Sequence, residues 1–114
     1  MYRSEYYATA NGRKPAKEFI LSQDMKMQAK IFSVLDILEA FGPDAREPYT
    51  KYLRDGIFEI RAKQGSNISR VLYFFIEGKK IILTNGFVKK TQSTPQAEID
   101  RAKRYKNDET SREG

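Results

Sequence analysis

Apolar positions change period along the chain. From Asp24 to Phe41, the residues Met27, Ile31, Val34, Leu38 and Phe41 recur at helical spacing and form one stripe. Lys26, Lys30, Asp36 and Glu39 fall off it, and Gly42-Pro43 supplies the stop. Upstream, "RSEYYA" predicts a short strand ended by Asn11-Gly12, and "KPAKEFILS" a short helix with Pro15 near its first position. Downstream the period shortens to two. "IFEIRA" alternates, while "NISRVLYFFI" and "KKIILTNGF" are apolar on both parities, and these predict three strands. "PDAREPYTKYLRDG" reads as a loop closed by Asp55-Gly56. "STPQAEIDRAKRYK" reads as a final helix, with Ser93 and Gln96 as a capping box or Thr94 as the N-cap. The predicted order is β-α-α-β-β-β-α. This is an α+β domain over residues 1–106, its antiparallel sheet packed on two N-terminal helices and a C-terminal helix, followed by a flexible polar tail, 107–114.

Turn chemistry extends this to side-chain faces. A two-residue loop at Gly65-Ser66 sets Arg61 opposite Arg70, Ile60 opposite Val71 and Phe58 opposite Tyr73. Alternation then places Glu59, Arg61, Arg70 and Leu72 on one face. Phe58, Ile60, Val71, Tyr73 and Phe75 share the other, which should meet the helices. A two-residue turn at Glu77-Gly78 sets Arg70 opposite Asn85, with Phe87 and Lys89 on the arginine face and Lys90 pointing away. A bulge at Gly86 would reverse those last assignments.

Charge sharpens the picture. Residues 1–50 carry seven Lys/Arg and seven Asp/Glu, whereas residues 51–106 carry thirteen against five, a net +8 in a chain of net +6. The strand-bearing half therefore holds all the excess positive charge, which suits a polyanion such as nucleic acid as well as a generally basic surface. Opposed arginines cost a sheet some tenths of a kcal/mol, up to about 1. Glu59 would offset that in a small surface salt-bridge network. Alternatively the arginines form an anion site, with Lys51, Lys89 and Lys90 adding charge at nearby strand or loop ends. On this reading Arg70 does little for stability, and its removal should leave folding nearly intact.

The chain has no histidine and no cysteine, and its carboxylates are scattered, so the histidine acid–base pair, the thiolate nucleophile and the two-metal nuclease have no candidate residues. No phosphate-binding glycine loop is present. What remains is phosphoryl transfer by position and charge, with no metal or other cofactor. An RNA 2′-hydroxyl attacks the adjacent phosphodiester while Arg61 and Arg70 stabilise the phosphorane, and a lysine among cations, its pKa lowered, exchanges protons. Phe87 or Tyr73 could stack on a base, Tyr73 being better explained as packing. "MYRSEYYATANGRK" has no apolar signal region, and the longest apolar run, "VLYFFI", is too short to span a bilayer, so a cytoplasmic location is expected.

The elements "KYLRDGIFEIR", "SRVLYFF", "GFVKKTQSTP" and "EIDRAKR", in order from Lys51 to Arg104, resemble the RelE/ParE superfamily of bacterial toxins, closest to its HigB-like, phage-derived branch. The resemblance implies a RelE-like fold. It also implies a toxin–antitoxin toxin that cleaves messenger RNA in the ribosomal A site without metal, leaving a 2′,3′-cyclic phosphate and a 5′-hydroxyl. The implied partner is a helix-turn-helix antitoxin of HigA type. Carried over by motif, the catalytic positions are Arg61, Arg70, Lys89 and Lys90, and Lys51, Arg54, Phe87 and Lys103 are assigned to RNA contact. The superfamily's acid and base vary, some members using a histidine or a late tyrosine, and no tyrosine lies near "GFVKK" here. The superfamily also contains gyrase inhibitors of ParE type, and a non-catalytic RNA-binding module would share the fold.

Overall fold

The computed structural model describes residues 1–90 and 93–113. Its elements are β1 (Arg3–Tyr6), α1 (Pro15–Leu21), α2 (Met25–Phe41), a single 3₁₀ turn (Gly42–Asp44), β2 (Thr50–Arg54), β3 (Ile57–Gln64), β4 (Asn67–Ile76), β5 (Lys80–Val88) and α3 (Gln96–Glu113). The five strands form one sheet in the order β1-β5-β4-β3-β2. Strands β2 to β5 make an antiparallel meander, and β1 adds in parallel beside β5. This is an α+β architecture compatible with the RelE-like fold.

Local chemistry explains the helices. Pro15 occupies the first turn of α1, where its missing N–H costs nothing. Asp24 caps α2, its side chain accepting from the Met27 N–H at 2.8 Å. The α2 stripe faces the sheet through Met27, Ile31, Val34 and Leu38, joined by Leu35. Phe41, expected on that stripe, is instead exposed, because α2 ends there and Gly42 turns the chain away at φ 55°. Helices α1 and α2 cover one face of the sheet over Ile60, Ala62, Val71, Tyr73, Ile81 and Leu83. On the other face α3 packs over a smaller cluster that includes Ile57, Leu72, Phe74 and Ile82.

Three expectations are corrected. The segment read as a loop contains a strand, β2, so the meander has four strands. Its sequence "TKYLR" hid it: β2 is an edge strand with charged, exposed positions and a bulge between Tyr52 and Arg54. Asp55 and Gly56, both at positive φ (54° and 79°), are the hairpin turn that joins β2 to β3. The second correction concerns residues 107–113, which continue α3. Tyr7 donates to Asp108 at 2.6 Å and stacks on Tyr105, and Arg112 donates to Asp108 at 2.7 Å and to the Ala8 carbonyl at 2.6 Å, pinning that helix end to the chain after β1. Gly114 lies outside the described residues.

The third correction is one of register. The β3–β4 pairing is as expected, with Arg61 opposite Arg70, Ile60 opposite Val71 and Phe58 opposite Tyr73. Between β4 and β5, however, Arg70 lies opposite Phe87, not Asn85. The turn from Ile76 to Lys80 holds three residues, and the register shifts again between Tyr73↔Leu83 and Leu72↔Asn85, which leaves Thr84 as the extra residue. Each change moves the register by one, and the two together restore parity beyond Thr84, so Phe87 still shares the arginine face. Gly86 is not the bulge. It is where α1 crosses closely: a Cβ there would fall 2.3 Å from Phe19 Cδ2.

Candidate active site

The arginine face is open at the end of the sheet where β2, β3 and β4 meet the approach to α3. The backbone row there runs from Arg61 on β3 to Arg70 on β4 to Phe87 on β5. One residue pair further along β3, Lys51 of β2 stands opposite Glu59. Because cross-strand partners share a face, Lys51, Glu59, Arg61 and Arg70 converge. They line a cleft of about 330 Å³, together with Arg54, Leu53 and Thr94.

Glu59 organises this cluster. Its side chain is fully buried, and Arg70 is 3% exposed. Glu59 Oε2 accepts from Arg61 Nε at 2.9 Å and from Arg70 Nη1. Glu59 Oε1 accepts from the Thr94 hydroxyl, which itself accepts from Arg70 Nη1 at 3.1 Å. Arg61 reaches outward as well, to Glu47 Oε1 at 2.9 Å. The salt-bridge network expected at the surface therefore exists, but its centre is buried. The expectation that Arg70 is dispensable for folding is corrected accordingly: a buried carboxylate deprived of a partner is costly. Burial pushes the Arg70 pKa down, Glu59 opposes that, and nearby Arg61 adds to it. A guanidinium remains charged regardless.

Lys89 lies beside the pair, its N–H donating to the Ile68 carbonyl at 2.8 Å. It lines a second small cavity of about 200 Å³ that Arg61 and Arg70 also border. Its ammonium pKa is lowered, first by desolvation, then by the positive charges of Arg70 and Arg61. Lys90 is exposed. Arg54 donates to the Gln96 side chain at the rim of the cleft. Phe87 is half-buried, packed against the smaller core. Lys103 lies apart, paired with Asp55 at 3.0 Å at the β2–β3 turn. Tyr73 is core, stacked on Phe58.

Residues 18–107 match the model of a family described as Phage derived protein Gp49-like (DUF891). The chain belongs to that Gp49-like family. It is a family of RelE/HigB-like toxins of toxin–antitoxin systems. No curated protein matches the chain.

Two members of this candidate site, Glu59 and Thr94, were not among the residues assigned to it from the sequence. Glu59 read as a partial neutraliser, and Thr94 as a helix cap. The Thr94 hydroxyl serves Glu59 and Arg70, while the Gln96 side chain goes to Arg54 and to Asp100. A glutamate two residues before Arg61, on the same strand face, was the available signal for Glu59. Thr94 had none, since the approach of the α3 start to β3 is a tertiary fact. Tyr52, beside Lys51, presents its phenol elsewhere: it packs edge-on against Phe58 and its oxygen accepts from the Gly56 N–H at 3.2 Å. Among the described residues no group of three or more His, Cys, Asp or Glu is placed to hold a metal ion, and no helix is long and apolar enough to cross a membrane.

Proposed function

We propose that this Gp49-like chain is the toxin of a type II toxin–antitoxin system and acts in the cytoplasm as a metal-independent endoribonuclease on messenger RNA in the ribosomal A site. The observation that carries the reading is the pairing of Arg61 with Arg70 across two strands, at a cleft that also collects Lys51 and Arg54. Two guanidiniums on adjacent strands match a phosphodiester whose charge grows as a fifth oxygen ligand forms. The 2′-oxygen bonds to phosphorus and the bond to the 5′-oxygen breaks. The 2′-hydroxyl proton departs and a proton reaches the leaving oxygen. The products are a 2′,3′-cyclic phosphate and a 5′-hydroxyl. Lys89, whose lowered pKa makes its ammonium a better acid than an ordinary lysine, is the group suited to proton exchange. The proposed antagonist is a helix-turn-helix antitoxin of HigA type.

The test is induction of the chain in cells, followed by mapping of transcript ends. Cleavage should occur in translated messages, should spare the same message with its start codon removed, and should persist in EDTA once ribosome integrity is controlled. Intact messages with altered plasmid supercoiling would replace this reading with gyrase inhibition. RNA binding without cleavage or growth arrest would replace it with a passive module. Affinity for RNA should also fall steeply with salt, since each phosphate contact releases counterions.

A further inference from the structure

Glu59 carries an inference that rests on the nuclease reading and extends it. Its carboxylate is fully buried, so an RNA hydroxyl cannot reach it. Oε2 is held by Arg61 and Arg70, and Oε1 by Thr94. A carboxylate so engaged is not the base of the reaction. We infer that Glu59 is the positioning residue of the site: an internal counter-ion that holds the two guanidiniums side by side and, through Thr94, ties the start of α3 to the arginine pair.

Two features of the site give Glu59 this role. Arg61 and Arg70 are like charges in direct cross-strand register, and without an anion between them they repel and turn apart. The shared Oε2 removes that repulsion and sets their spacing before substrate arrives, which is the condition for charge stabilisation without reorganisation. The same negative charge weakens ground-state attraction for a phosphate. Arg61, its side chain 23% exposed, is the member of the pair that a phosphate meets first. The second feature is the tie. Thr94 stands just before α3, so the Glu59–Thr94 bond holds the start of that helix against the arginine pair.

A neutral isostere separates this role from a merely structural one. Glu59→Gln keeps the shape and removes the charge. It should lower the unfolding midpoint in phosphate-free buffer, and inorganic phosphate should then raise that midpoint by several degrees more than it raises the wild type. In cleavage of messages on programmed ribosomes, KM should fall several-fold while kcat falls tenfold or more, and Glu59→Asp should recover part of kcat. An equal phosphate shift in both proteins, or a fall in kcat with KM unchanged, overturns the inference. Should Glu59→Gln not fold, Thr94→Val keeps every charge and cuts the tie: kcat should fall with KM and the phosphate shift unchanged, and a wild-type kcat overturns the inference. Failure of the nuclease reading looks different. A wild-type chain that cleaves no message, yet whose Glu59→Gln form shows the enlarged phosphate shift, discards the nuclease and keeps the counter-ion. A cleaving wild type with a flat phosphate response in the variant does the reverse.

Discussion

Arg61 and Arg70 are cross-strand partners whose guanidiniums meet on one oxygen of the buried Glu59. The arrangement makes each arginine both a structural counter-ion and a candidate transition-state contact. Stability and rate therefore have to be measured together.

Arg70→Ala should lower stability by about 3 kcal/mol, near the lower end for breaking a buried ion pair because Arg61 still serves Glu59. Chemical denaturation gives this number. At a temperature where the variant is folded, its cleavage rate should be lower by on the order of 10²–10³. Arg70→Lys should regain part of the rate, since an ammonium cannot reproduce the planar fork. A folded Arg70→Ala protein with full activity would remove Arg70 from the site.

Gly86→Ala should destabilise by about 1–3 kcal/mol, because the new methyl meets the Phe19 ring at a distance no packed pair tolerates. Shortening the ring in Phe19→Leu should absorb part of that loss, so the double variant should be more stable than the sum of the single changes implies. Additive losses would show that α1 does not press on β5 at this point.

Tyr7 gives a pH prediction. Burial, and then its hydrogen bond to Asp108, push its pKa from 10.0 up to about 12. The folded protein therefore holds this proton more tightly than the unfolded chain does. The associated stability is complete below pH 10 and drains away as pH rises through 12. Tyr7→Phe has no such proton to lose, so between those limits its stability should fall less steeply with pH than that of the wild type. Parallel slopes for the two proteins would contradict the tie between Tyr7 and the end of α3.

Leu38 is fully buried at the C-terminal end of the α2 stripe that faces the sheet. Leu38→Ala should cost about 2–5 kcal/mol in denaturant titration, with the slope of the transition unchanged. An unaltered midpoint would mean that α2 presents a different face to the sheet.

The sequence by itself determined α1, α2, the start of α3, the β3–β4 register and the two faces of that hairpin, because caps, tight turns and the two-residue period act over a few residues of chain. The face of Phe87 came out correctly with the wrong partner, since a longer turn and a bulge at Thr84 each shift the register by one and together restore parity beyond Thr84, while Ile81 to Leu83, before the bulge, lie on the faces opposite to those the two-residue turn implied. Strand β2 escaped, because an edge strand pairs on one side, keeps its charges in solvent and shows no sustained apolar alternation. The tertiary structure alone decided what the arginines are. Packing α3 across the Glu59 face buries that carboxylate and brings Thr94 to it across 35 residues of chain. In an exposed sheet Glu59 would have been one more solvated anion. Once water is excluded, its charge has to be satisfied by Arg61 and Arg70, and that requirement places the two guanidiniums together.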